Sequence, residues 1–139
     1  MIDKQEFYWG AAIVRLLESS KCTSVQKHEY GYVINSNIFV FLKYSTKART
    51  PWGFSFSNDE ISRLNPISSQ YEKTVVGLIC GGDGICAVDW PRLNTLLAKK
   101  PGWISAKRNF NERYGVSGPA GGLDRKIPLQ SWPLLIFEE

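Results

Sequence analysis

The run Ile38-Phe39-Val40-Phe41-Leu42 restricts the fold of this chain more than any other stretch. Successive side chains of a strand point to opposite faces, so Ile38, Val40 and Leu42 share one face while Phe39 and Phe41 take the other. Both faces are apolar, which makes this a central strand with a covering layer on each side. At 139 residues the chain has the common size of one domain, and such a domain buries about two-thirds of its unfolded surface. The expectation is a single α+β domain over residues 1–139, its covering layers supplied by the flanking sequence.

Those flanks read as helices and short strands. Asp3-x-x-Glu6 is a capping box, and behind it Phe7, Ala11, Val14 and Leu17 recur at helical spacing. Residues 30–34 alternate, with Tyr30, Tyr32 and Ile34 on one face, and Asn35-Ser36-Asn37 suits a tight turn. Trp52, Phe54 and Phe56 are in phase in another strand, and Ser57-x-x-Glu60 opens a second helix that should end by Asn65-Pro66. Residues 75–80 and 85–88 form a hairpin around Gly81-Gly82-Asp83-Gly84, and Asp89 caps a helix with Pro91 in its first turn. A further hairpin joins 103–108 to 113–117, the glycines from Gly115 to Gly122 mark a loop, and residues 132–137 read as a last strand. This predicts three helices and about seven short strands in one mostly antiparallel mixed sheet.

Composition narrows the class. The apolar fraction of 43% and the charged fraction of 22% belong to a globular chain rather than a disordered one. No run reaches the roughly 20 apolar residues of a membrane span, and the acidic first residues do not resemble a secretory leader. With three cysteines and no such leader, the expected setting is the reducing cytoplasm.

The formal charge of +4 is unevenly spread. Residues 99–126 hold seven basic side chains against two acids, a net of +5, which leaves −1 for the rest of the chain. Within that segment Trp103, Ser105 and Lys107 share one face of a strand, Ile104, Ala106 and Arg108 the other, and Phe110 sits at the hairpin tip with Arg113 returning beside it. Cations neutralise phosphates, and an exposed ring stacks on an unpaired base or wedges a base step. The candidate nucleic-acid surface is therefore Lys107, Arg108, Phe110, Arg113, Arg125 and Lys126, with Trp103 as a second ring. Lys43, Lys47 and Arg49 extend it if their loop lies on the same side. The alternative is a small inhibitor or immunity-type protein that grips a protein partner by aromatic side chains such as Trp52, Trp90 or Trp132 if these cluster in solvent.

Catalytic and metal chemistry finds little. The glycine-rich residues 115–122 lack the Gly-Lys of a phosphate loop and lead into no helix. Cys22 and His28, and Cys80 and Cys86, are each six residues apart, outside the usual zinc windows. A hairpin turning at Gly82-Asp83-Gly84 would set the latter pair directly opposite. Cys80 stands in an apolar run and reads as a small hydrophobe. His28, the one histidine, lies in a polar connection and reads as solvated. No cofactor or metal is expected.

One order of elements has a known counterpart. A helix over 3–17, strands over 30–34, 38–43 and 52–56, a helix over 58–64 and a strand over 75–80 resemble the αβββαβ core of restriction-endonuclease-like nucleases. The resemblance implies Mg²⁺ held by an acid ahead of a strand and by a (D/E)-x-K triplet on the next. Here the triplet position is Phe41-Leu42-Lys43, and Asn35 or Asn37 stands where the aspartate belongs, so the resemblance implies a degenerate site. A metal-dependent nuclease would need Lys43 with acids from elsewhere, such as Asp83 or Asp89.

Overall fold

A computed structural model describes residues 1–138. Among these residues the elements run α1 (Lys4–Leu17), β1 (Val25–His28), β2 (Gly31–Ile34), β3 (Ile38–Ser45), β4 (Trp52–Phe56) and α2 (Asn58–Gln70). They continue with β5 (Lys73–Cys80), β6 (Gly84–Asp89), α3 (Trp90–Leu96), β7 (Gly102–Lys107), β8 (Gly115–Gly118), β9 (Gly121–Gly122) and α4 (Ser131–Phe137). The class is α+β, but the strands divide into two sheets rather than one. A five-stranded sheet has the order β1-β2-β3-β5-β6, and a four-stranded sheet has the order β4-β7-β8-β9.

The strand that opened the argument is central. β3 lies third of five, antiparallel to β2 and parallel to β5, with Ile38 opposite Lys73 and Ser45 opposite Cys80. Its Ile38, Val40 and Leu42 join Ala12 and Leu16 of α1 and Trp132 and Ile136 of α4 in one cluster. Phe39, with Phe41 against it, joins Ile61 and Leu64 of α2, Leu93 of α3, and Phe54, Ile104 and Val116 of the second sheet in the other. The molecule therefore has three layers, with the larger sheet in the middle.

Local chemistry explains most boundaries. The Asp3 carboxylate accepts from the Glu6 N–H at 2.8 Å to start α1. Ser57 and Glu60 cap α2 reciprocally, at 3.1 and 2.9 Å. That helix runs past Pro66, beyond its expected end, because Ile67 is buried in the core and the Asn65 side chain accepts from Trp90 Nε1 at 3.0 Å. Tertiary contacts outweigh the local cost of proline here.

Three further expectations are corrected. Residues 131–137 form a helix, not a strand: Trp132 and Ile136 are buried four apart, and Trp132 Nε1 donates to the Ala12 carbonyl at 3.0 Å. Of the polar connection Gln26-Lys27-His28-Glu29, the first three residues join Val25 in edge strand β1, and His28 sets its ring edge-on to Phe39, at 4.9 Å between centroids, rather than lying in solvent. Tyr30 belongs to the β1–β2 turn and packs on the α2 side, away from Tyr32 and Ile34. Because β4 lies in the second sheet, the three strands read from the sequence as nuclease-like do not share a sheet.

Candidate functional site

The carboxyl ends of the parallel strands β3 and β5 bring three loops together. Their chain exits run side by side, with the Gly81 N–H donating to the Ser45 carbonyl at 2.9 Å. Gly81 has a φ of +54°, and a Cβ there would lie 2.3 Å from the Lys47 carbonyl oxygen, so only glycine fits this approach. Trp52, at the start of β4, donates its Nε1–H to that same carbonyl at 2.9 Å. The third loop, residues 108–114 between β7 and β8, attaches through the Arg108 N–H to Thr50 Oγ1 at 3.0 Å.

Asp83 is the hub of this junction. Its carboxylate accepts from Arg108 Nε at 2.9 Å and Nη2 at 2.6 Å, and from the Tyr114 hydroxyl at 2.6 Å. The Arg108 and Asp83 side chains are only 14% and 19% exposed. Arg108 Nη1 also reaches the carbonyls of Asn109 and Glu112, at 3.3 Å each, and so closes its own loop. Bonding to Arg108 holds the Asp83 carboxyl below its ordinary range, helped by Tyr114 and opposed by burial. Burial, reinforced by the Asp83 charge, pushes the Tyr114 hydroxyl well up. The Cys80 thiol is raised to about 12, first by burial and then by that same charge.

The loop held in this way presents Phe110 to solvent with 88% of the residue exposed. A cleft of about 470 Å³ separates it from the 46–51 loop, with Arg49 and Thr50 on one side and Asn109 and Phe110 on the other. Arg49 and Lys107 are exposed and make no ion pair among the described residues. The condition placed on Lys47 and Arg49 is thus met: their loop lies beside the basic hairpin.

A second basic cluster begins where that hairpin returns. Tyr114 and Ile127 exchange backbone hydrogen bonds at 2.8 and 2.7 Å, which lays the 124–128 segment along Arg113. Arg92, Arg113, Arg125 and Lys126 line a groove of about 420 Å³ with exposed Leu134 at its apolar wall. Arg92 pairs with Asp89 and Lys126 with Glu112 at 3.3 Å, while Arg113 and Arg125 have no ion-pair partner among the described residues. Glu112 connects the clusters, its carbonyl to Arg108 and its carboxylate to Lys126.

Lys43 is elsewhere. It projects on the α2 side of β3, 2.8 Å from Glu60 and over the Phe56 ring, in a cleft of about 450 Å³ lined also by Trp9, Tyr30 and Arg63. Asp83 and Asp89 flank β6 at opposite ends, roughly 20 Å apart at the rise of an extended chain, so they cannot meet around one ion with Lys43. Each is already paired, with Arg108 and with Arg92.

The zinc candidates do not converge. Cys86 stands opposite Leu78, and Cys80 opposite Gly84, so the two cysteines are diagonal rather than facing. Cys22 packs on the α1 side of the sheet, away from Cys80, Cys86 and His28. No group of three or more His, Cys, Asp or Glu side chains among the described residues is arranged to hold a metal. The glycine-rich segment pairs as β8 and β9, and a Cβ at Gly118 would lie 2.8 Å from the Leu96 carbonyl oxygen. Trp52, Trp90 and Trp132 are all in the core, at most 2% exposed, and Trp103 is the half-exposed tryptophan. No helix among the described residues is long and apolar enough to cross a membrane.

Thr50 and Tyr114, which help build the junction, are not legible as site residues, and Asp83 is legible only as a candidate metal-binding acid and not as an anchor for Arg108. Asp83 reads as an ordinary turn acid, and nothing local links it to residues 25 and 31 positions away. Comparison with family models, with curated proteins and with solved structures finds no match to this chain.

Proposed function

We propose that this chain binds nucleic acid without cleaving it, through a surface centred on the 108–114 loop. The observation that carries the reading is the Phe110 ring, presented at the tip of an anchored loop with Arg49 across the cleft and Lys107 at the end of the strand that leads into it, neither in an ion pair among the described residues. Arg113 and Arg125, also unpaired, continue the positive surface past Glu112 to Lys126 and Arg92, with Lys47 at its other end. Arg108 differs from its neighbours: its guanidinium is engaged by Asp83 and supports the loop.

Fluorescence anisotropy of labelled DNA and RNA, single- and double-stranded, over a range of salt concentrations tests this. Binding should weaken steeply with salt, and the slope should flatten by about one unit for each phosphate-contacting cation replaced among Lys107, Arg113 and Arg125. Absence of binding at low salt refutes the proposal and turns attention to a protein partner.

A nuclease-like core is the second reading, favoured by one observation. The order α1, β1–β3, α2, β5, with β5 parallel to β3, keeps the helix-strand sequence of that fold once β1 replaces β4 in it. Lys43 is engaged by Glu60 in it, so this reading offers a likeness of scaffold and no chemistry.

A further inference from the structure

We infer that the nucleic acid this surface takes is single-stranded, with an unpaired base lying on Phe110. This rests on the nucleic-acid reading above and specifies its ligand. In a duplex each base face is covered by the next step, so a ring at a loop tip meets a base face only where the stack is open. Phe110 joins none of the ring–ring or cation–ring contacts of the fold, so both of its faces are free to receive one.

The loop that carries the ring is held in place before any ligand arrives. The Glu112 N–H donates to the Asn109 carbonyl at 3.0 Å, Asn111 takes the left-handed φ of +64°, and Arg108 clamps both ends of that turn to Asp83. A preorganised loop leaves only the side chain to be ordered on binding. Beside it the cleft of about 470 Å³ gives the base an edge to enter, and the amide of Asn109 supplies hydrogen-bonding groups for that edge. Arg49 lines the same cleft, and exposed Lys107 ends the strand that leads into the loop, so both are available to the phosphates that flank the base.

The test is a binding comparison with the full chain and three probes: oligo-deoxythymidine, the same backbone without bases, and a duplex of equal length. Wild-type protein should bind the base-bearing strand most tightly. Phe110→Ala should weaken that complex about 5- to 150-fold, the range of one lost base–aromatic stack, and leave the baseless strand and the duplex within a factor of two or so. Phe110→Trp should restore it, and Lys107→Ala should weaken all three. Equal losses on strand and duplex, or no loss on the strand, overturn the single-strand inference while leaving nucleic-acid binding intact. Failure of the wild-type protein to bind any probe overturns the broader reading instead.

Discussion

Asp83→Ala should be the most damaging exposed-loop substitution in this protein, and it should weaken binding although it removes a negative charge. The carboxylate takes two hydrogen bonds from Arg108 and one from Tyr114, all at 2.9 Å or less. Exposed ion pairs contribute about 0–1 kcal/mol, and breaking a fully buried pair costs about 3–5 kcal/mol. With side chains 14% and 19% exposed, this pair lies nearer the buried limit, and about 3 kcal/mol is expected. For a domain of this size that corresponds to a fall in Tm of roughly 12 °C. Urea and thermal unfolding followed by circular dichroism would measure it, and a double-mutant cycle with Arg108→Ala should return a coupling of about 1.5 kcal/mol or more.

The pH dependence has a definite sign. Arg108 depresses the folded pKa of Asp83 below its unfolded value, so the stabilisation is complete above about pH 4 and is lost as the pH falls further toward the folded pKa. The difference between wild type and Asp83→Asn should therefore shrink in acid. Binding supplies an independent check. Net charge alone makes Asp83→Asn bind a polyanion more tightly and Arg108→Ala less tightly. If the bracket sets the loop, both variants weaken the single strand together. A cost below about 0.5 kcal/mol with no coupling, or tighter binding by Asp83→Asn, would refute the assignment of Asp83 as the loop's anchor.

Three other substitutions or reagents probe the frame. Gly31→Ala places a Cβ 2.2 Å from the Val40 carbonyl oxygen, so the β2–β3 pair must separate, at a cost of about 3 kcal/mol in urea midpoint analysis. Ser131→Ala leaves the Ala87 N–H without its 2.9 Å acceptor in a buried place, and about 1–3 kcal/mol should be lost by the same measurement. In the native protein a thiol-specific disulfide reagent at pH 8 should modify Cys22 alone. Cys80, raised to about 12, and Cys86, also pushed well up by burial, should react only on unfolding.

The parts of this fold that could be read from the sequence are those in which local pattern and tertiary role agree. β3 alternates and is buried on both faces, α1 and α2 begin with side chains that satisfy their own first N–H groups, and β4 keeps its aromatics in phase. The misread elements are those in which the two disagree. Residues 132–137 are a short apolar run, for which periodicity cannot separate a buried strand from a helix; Trp132 itself is kinked out of helical φ/ψ, so the helix shows only in its packing on α1 and β6. The edge position of β1 lets a polar Gln-Lys-His sequence pair with β2 on one side alone, which no apolar pattern announces.

The candidate site was legible as a charge and illegible as an arrangement. Counting cations over residues 99–126 finds Lys107, Arg108, Arg113, Arg125 and Lys126 equally, because composition carries no information about partners. The fold sorts them by which acids it brings near. Asp83 comes to Arg108 across 25 residues and Glu112 comes to Lys126 across 14, while among the described residues no acid pairs with Lys107, Arg113 or Arg125. An arginine whose donors are filled by a carboxylate has little left for a phosphate, and the same bonds make it a good support. The negative and positive residues of this segment are thus not opposing contributions to one net charge. Asp83 and Arg108 fix the loop that carries Phe110, and the cations without an ion-pair partner among the described residues remain available to the ligand proposed above.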